Sequence, residues 1–241
     1  METEQKASAE AAVLARIADI RARIATACAE AGRSVSEVTL MAVTKTVPPE
    51  QVNVAVRAGI KLLGENRVQE FLSKCEDYDK TAEVQFIGHL QTNKVKQIVG
   101  KVTLIHSVDS LHLLEAVEKA AKQQGIVQEI LLEVNIGGEA SKSGCTPDAL
   151  PALLEAAMRC EHIRVRGLMT IPPPFADAAE ADACFARMHT LFTEMQKTSD
   201  EIQILSMGMS GDFETAIRHG ATLIRLGSAL FGARVYPEKT L

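Results

Sequence analysis

Tryptophan is absent from this chain, and tyrosine occurs only twice, at Tyr78 and Tyr236. Aromatic platforms for single-stranded nucleic acid are therefore scarce. No long basic run appears and the formal net charge is −5, so nucleic acid is not the expected partner. A compact anion stays open as a ligand, because a few backbone N–H groups and one or two cations hold one. No apolar stretch has the length of a membrane span, and no membrane contact is expected. Met1 to Glu10 lacks the apolar centre of a signal peptide. No CxxC pair occurs. Cys28, Cys75, Cys145, Cys160 and Cys184 are odd in number and dispersed, which reads as structural free thiols in a reducing compartment, the cytoplasm.

No Gly-, Ser- or Pro-rich linker divides the 241 residues, so one domain over 1–241 is expected, with 1–9 flexible. Pro172-Pro173-Pro174 reads as a stiff loop within it. A content of 46% hydrophobic and 24% charged residues is that of a globular chain with a real core.

What is present is a regular alternation. Glu10 to Ala31 is rich in alanine, with Val13, Ile17, Ile20 and Ile24 three or four apart and Gly32 as a stop, the pattern of an amphipathic helix. Val38–Val43 follows as a short β-branched run ending at Thr44-Lys45, and Pro48-Pro49-Glu50 opens a helix to Ala58. Further strand-like runs are Lys61–Leu63, Val84–Ile87, Thr103–His106, Glu129–Asn135, Val165–Met169, Gln203–Ser206 and Leu223–Leu226. Helical patterns separate them at Val68–Tyr78, Asn93–Val99, Leu111–Gln124, Pro147–Cys160, Ala178–Thr198 and Asp212–His219. Eight strands alternating with helices, at roughly thirty residues per unit, predict a closed parallel (β/α)8 TIM-like barrel preceded by an N-terminal helix. An open doubly wound sheet gives the same local pattern and is the runner-up.

Residues able to do chemistry collect where strands end. Lys45 follows the first strand, Asn66 the second and His89 the third, while the fourth ends in His106-Ser107-Val108-Asp109. Asn135 and Lys142-Ser143-Gly144 follow the fifth, and Met169-Thr170 ends the sixth. Ser206-Met207-Gly208-Met209-Ser210 ends the seventh and Arg225-Leu226-Gly227-Ser228 the eighth. In a barrel these ends converge on one rim, where barrel active sites sit. Each residue alone has an ordinary reading: a solvated lysine, capping histidines, turn glycines, Glu65 and Asp109 satisfying local donors. Their recurrence at eight strand ends carries the functional reading.

After the eighth strand, Gly227-Ser228 begins Ala229-Leu230-Phe231-Gly232, a candidate short helix. A phosphate site built from the seventh and eighth loops and such a helix recurs in barrels. Ser206 and Ser210 are candidate hydroxyl donors, although Ser210 has a competing role as cap of the helix near Asp212. Asp212 and Glu214 would oppose a phosphate there, so Gly227 and Ser228 are the favoured cradle.

The segments Ala42-Val43-Thr44-Lys45-Thr46, Gly64-Glu65-Asn66-Arg67-Val68-Gln69-Glu70, Phe86-Ile87-Gly88-His89-Leu90-Gln91 and Ile105-His106-Ser107-Val108-Asp109 carry a further signal. So do Lys142-Ser143-Gly144, Arg166-Gly167-Leu168-Met169, Leu205-Ser206-Met207-Gly208-Met209-Ser210 and Arg225-Leu226-Gly227-Ser228-Ala229-Leu230-Phe231-Gly232. Together the chain resembles the pyridoxal phosphate homeostasis proteins, which are similar to the barrel domain of alanine racemase. The resemblance runs from the first strand to the last. It implies pyridoxal 5′-phosphate as cofactor, Lys45 as its Schiff-base lysine, Arg225 against the pyridine nitrogen and Asn66 near the ring. It also implies Ser206, Ser210, Gly227 and Ser228 around the phosphate. Met207, His89 and Lys142 are secondary candidates, and no residue is assigned to a metal. Two places depart from the family: Val47, where some members carry a second lysine, and Val84-Gln85, where Trp-His is frequent.

Lys45 would have to attack as the neutral amine, which a partly desolvated barrel mouth with Arg225 nearby favours. An arginine cannot accept a proton from the pyridine nitrogen, so the ring would stay neutral and stabilise carbanions weakly. The second base of alanine racemase, a tyrosine from a further domain, has no counterpart before Leu241, and neither Tyr78 nor Tyr236 is expected at the rim. The resemblance therefore implies a carrier that regulates pyridoxal phosphate (vitamin B6) pools without efficient turnover. A monomer is expected, with cofactor-dependent apoenzymes as recipients. Two alternatives stay open: an amino-acid racemase or lyase using the same cofactor, and a Schiff-base aldolase acting on a sugar phosphate.

Overall fold

The computed structural model describes residues 2–139 and 142–232. Its strands are β1 (Thr39–Val43), β2 (Leu62–Glu65), β3 (Glu83–Phe86), β4 (Leu104–Val108), β5 (Gln128–Glu133), β6 (Ile163–Met169), β7 (Ile204–Ser206) and β8 (Leu223–Leu226). Each pairs in parallel with its sequence neighbour, and the sheet closes where β8 returns to β1. The seam sets Met41 beside Arg225 and Ala42 beside Leu226, which excludes the open sheet and gives the expected barrel.

The helices are α1 (Glu2–Glu30), α2 (Pro49–Arg57), α3 (Val68–Lys74), α4 (Leu111–Gln124), α5 (Leu150–Met158), α6 (Ala178–Gln196), α7 (Phe213–Arg218) and α8 (Ser228–Phe231). Helix α1 starts at Glu2, not Glu10, because the leading Glu, Gln, Lys and Ala residues are strong helix formers. It lies against α2, α7 and α8 and buries Val13, Ile17, Ile20 and Ile24. Two differences bear on the site. Between β3 and β4 the chain makes a 3-10 helix at Thr92–Gln97, where an α-helix over Asn93–Val99 was expected. Helix α3 stops at Lys74, so Tyr78 lies beyond it in the following turn and is buried. Tyr236 lies outside the described residues. Among those described, no helix is long and apolar enough to cross a membrane.

Alternation along each strand builds two apolar layers. The outward-facing residues, such as Ala42, Leu63, Ile105, Ile130 and Leu132, join the helices in the larger core. The inward-facing ones fill the barrel: Met41, Val43, Leu62, Ile87 and Leu223 in one cluster, and Leu104, Leu131 and Met169 in another, with Ile204 touching both. The same inward phase also carries Gln85, His106, Glu133, Ser206 and Arg225, all buried. The barrel interior is thus mixed: Val43 and Ile87 reach its C-terminal mouth beside Arg225, while Gln85 lies toward the other end.

Candidate functional site

Lys45 leaves β1 in a tight turn, in which the Val47 N–H donates to Thr44 O at 2.9 Å. Thr46 in that turn has φ 63°, and it is the one non-glycine residue with positive φ among those described. For a β-branched side chain that conformation costs on the order of 1–2 kcal/mol. Helix α3 supplies the brace that holds it. The Glu70 carboxylate accepts the Thr46 N–H at 2.5 Å and pairs with Lys74, whose ammonium reaches Thr44 O at 3.4 Å. Burial alone would raise the Glu70 carboxyl, but the bonds from Lys74 and Thr46 outweigh it and hold the group below its ordinary range. Behind the turn, Thr44 and Tyr78 both donate to the buried Glu65. Glu70→Ala is expected to lower stability by about 1–3 kcal/mol, the cost of stranding its donors, read as a drop in melting temperature. Unchanged melting would mean that the turn holds itself.

Lys45 lines a cavity of about 400 Å³ at the C-terminal mouth of the barrel. Asn66, Ser210, Arg225 and Ser228 share the cavity, with Gly211 and Gly227 and an apolar side of Val43, Ile87, Ile171 and Met209. An adjoining cleft of about 260 Å³ runs past Thr46, Pro48 and Phe231. The Lys45 amine has no hydrogen-bond or ion-pair partner among the described residues. The Ala229 N–H donates to Ser210 Oγ at 3.1 Å, which ties the loop after β7 to the start of α8. Asp212 accepts the Met209 N–H and Glu214 pairs with Arg23 at 2.6 Å, so both acidic groups near this loop already have partners.

Arg225 is the buried cation of the site, 3% exposed. It donates to Ser206 Oγ at 2.7 Å and to Thr170 O at 2.8 Å, both neutral acceptors. Burial pulls its pKa down to about 10 against the pull of Glu133 and Asp212, so it stays charged at neutral pH. No carboxylate among the described residues forms an ion pair with it. Glu133 lies nearby in the same interior. Burial, and then Asp109, push the Glu133 carboxyl up to about 7, although Arg225 opposes this.

The Glu133 shift has a definite sign. Between about pH 4.5 and 7 the unfolded chain has released the Glu133 proton while the folded protein keeps it. Its contribution is therefore full below pH 4.5 and is lost as pH rises through 7, on the order of 3 kcal/mol in all. Glu133→Gln is expected to melt higher than the parent at pH 8, with the gap shrinking toward pH 5. A gap independent of pH would show that Glu133 does not titrate in that window.

Six of the residues singled out in the sequence meet in the cavity: Lys45, Asn66, Ser210, Arg225, Gly227 and Ser228. Ser206 does not reach it. It is fully buried beneath Arg225, because it lies in β7 with its side chain turned into the barrel. Met207 takes the opposite phase and packs in the outer core. Exposed His89 meets Ser143 at 3.2 Å, and Lys142 pairs with Glu139 at 3.0 Å; neither lines the cavity. The sequence reading missed Glu70, Gln85 and Glu133. For the last two a signal existed, since each has the parity of an inward apolar residue, Ile87 or Leu131.

The cavity suits a small anionic ring compound on three counts. Among the described residues, its amine is unpaired, its guanidinium is buried without an ion-pair partner, and Asn66 Oδ1 is buried with no hydrogen-bond partner. A buried polar atom left unbonded costs about 1–3 kcal/mol, which a bound ligand would recover.

Comparison with known proteins gives one consistent result. The alanine racemase N-terminal domain matches residues 16–235. The chain is 45% identical over 223 residues to the pyridoxal phosphate homeostasis protein of Aquifex aeolicus, covering 92% of this chain and 98% of that one. The protein of the same description from Pseudomonas aeruginosa is 44% identical, over 91% and 95% of the two chains. Among solved structures, PipY of Synechococcus elongatus with PLP bound superposes with a TM-score of 0.78 at 34% identity, covering 91% of this chain and all of that one.

Proposed function

We propose that this chain, which belongs to the alanine racemase N-terminal domain family and within it to the pyridoxal phosphate homeostasis proteins, holds pyridoxal 5′-phosphate as a Schiff base on Lys45 and regulates its free level. The observation that carries the reading is a cavity shared by Lys45, whose amine has no partner among the described residues, and Arg225, a buried guanidinium with no ion-pair partner among them. Lys45 is the attachment point. Arg225 faces the ring nitrogen, Asn66 lies beside the ring, and Ser210, Gly227 and Ser228 receive the phosphate. Ser206 acts from below, by orienting Arg225. The solved relative with PLP bound supports the choice of ligand.

When bound, the cofactor supplies an aldehyde that condenses reversibly with amines and a ring able to draw electrons. The protein side of this site restrains the second property. Arg225 is a donor and takes no proton from the ring nitrogen, so the ring is a weak electron sink. The described residues lining the cavity include no tyrosine, histidine, cysteine or carboxylate, which leaves proton transfer on an amino acid without a second base. Both points favour a carrier over a racemase or lyase. In this reading the protein works as a cytoplasmic monomer, and recipient apoenzymes draw on the cofactor it holds.

The test is the visible spectrum of the purified protein before and after borohydride reduction, followed by peptide mapping. A yellow protein whose reduced adduct maps to Lys45 is expected. A colourless protein that gains no adduct from added pyridoxal phosphate, yet traps a sugar phosphate, would replace this reading with the aldolase. Sustained amino-acid turnover, lost in Lys45→Ala, would replace the carrier with an enzyme.

A further inference from the structure

Beneath the cavity, four polar side chains from four strands form one row across the barrel. Arg225 of β8 lies 2.7 Å from Ser206 Oγ of β7. Ser206 Oγ lies 3.1 Å from His106 Nδ1 of β4, and His106 Nε2 lies 2.7 Å from Gln85 Oε1 of β3. None of the four is more than 8% exposed. Such a row is costly in an apolar interior unless each proton finds an acceptor.

The protons fix its direction. Arg225 can only donate, so Ser206 accepts at that end and sends its own proton to His106 Nδ1. The imidazole then carries its proton on Nε2 and donates to Gln85. Turning the Gln85 amide round would make His106 and Arg225 both donors to Ser206 and leave the serine proton no acceptor in the row. A neutral imidazole is required, and burial together with the Arg225 charge keeps His106 well below its ordinary pKa. The other terminal nitrogen of Arg225 is held by Thr170 O.

We infer that His106 is a positioning residue: acting through Ser206, it fixes the plane of the Arg225 guanidinium and so the cation that the pocket presents to its ligand. For the ligand this rests on the function proposed above; the geometry stands without it. A histidine that merely filled the barrel would affect packing alone.

The test uses the full chain carrying His106→Leu or His106→Asn, with circular dichroism and melting as controls for folding. The asparagine amide oxygen takes the place of Nδ1 as acceptor for the Ser206 proton. In ligand-free protein, nitrogen NMR is expected to show the Nε2–H tautomer of His106 and distinct, slowly exchanging terminal nitrogens of Arg225. Those Arg225 signals should average in His106→Leu and return in His106→Asn. Pyridoxal phosphate binding should weaken roughly tenfold in the leucine variant, the scale of one bond to a charged group, and recover in the asparagine one. The pH midpoint of the visible band should move with it. Adding His106→Leu to Ser206→Ala should cost nothing more, because His106 then has no serine to act through. Unchanged Arg225 signals in His106→Leu, equal losses in both variants, or additivity with Ser206→Ala would overturn the inference. If His106→Leu does not fold, Ser206→Ala alone should average the Arg225 signals, and failure to do so counts against it. Wild-type protein that binds no pyridoxal phosphate would sink the proposed function, while the NMR signals would still decide the role of His106.

Discussion

Lys45→Ala is expected to abolish the borohydride-stable adduct and to weaken pyridoxal phosphate binding by about a hundredfold or more, close to 3 kcal/mol. On the proposed reading the covalent bond would go, while Arg225, Asn66 and the loop around Gly227 would remain to hold the phosphate and ring weakly. The fold should not suffer. Lys45 is only half-buried and has no partner among the described residues, so melting of the ligand-free protein should stay within about 0.5 kcal/mol of the parent. Lys45→Arg is the sharper control, because it keeps the charge but forms no stable imine. Equilibrium titration followed by peptide mapping checks both. Retained affinity in Lys45→Ala would make the attachment incidental. An adduct moving to Lys142 would show that loop to be within reach of the ligand despite its Glu139 pair.

The second large effect lies on the neighbouring strand end. A Cβ placed on Gly88 would stand 2.0 Å from Asn66 O, 2.7 Å from its carbonyl carbon and 2.8 Å from its Cα. All three contacts are backbone, so no side-chain rotation relieves them. The loop after β3 must therefore move off the loop after β2, which is held by the bond from Ile87 N–H to Glu65 O at 2.8 Å. Gly88→Ala is expected to destabilise the protein by about 3 kcal/mol or more, in the range of severe core substitutions. For a chain of this size that is a fall of roughly 6–12 °C in melting temperature. It should also displace Asn66 and weaken pyridoxal phosphate binding, although Gly88 does not line the cavity. Parent-like melting would mean that the two loops part freely.

The barrel was legible in the sequence because each strand is a short apolar run ended by polar residues, and because the runs are evenly spaced. Boundaries were harder where propensity and packing disagree, as at the 3-10 helix of Thr92–Gln97. The rim residues Lys45, Asn66, Ser210, Arg225, Gly227 and Ser228 were legible because they stand just past strand ends or, for Arg225, one residue from it. The polar interior was harder to read. His106 reads as a rim residue if β4 stops there, but β4 continues to Val108 and turns His106 inward. Glu133 sits at the end of an apolar strand, where only its inward parity with Leu131 singles it out. Ser206 and Met207 illustrate the limit of a motif: adjacent in sequence, they face opposite layers. Only the pleat separates them.

The seam between β1 and β8 joins two segments far apart in sequence within one cavity. Lys45 is made before the Arg225–Ser228 segment, and the pairing of Met41 with Arg225 brings them together. No fragment that stops short of β8 contains both the amine and the guanidinium. On the proposed reading the lysine therefore emerges during synthesis as an ordinary surface amine, and its affinity for the cofactor would arise only when ring closure is achieved. Closing so long a loop is entropically costly and slow, and a ligand bridging the seam repays part of that cost through linkage. Cofactor uptake would then report that the eighth strand has been made and docked, and the loaded form would resist opening at the seam more than the empty one.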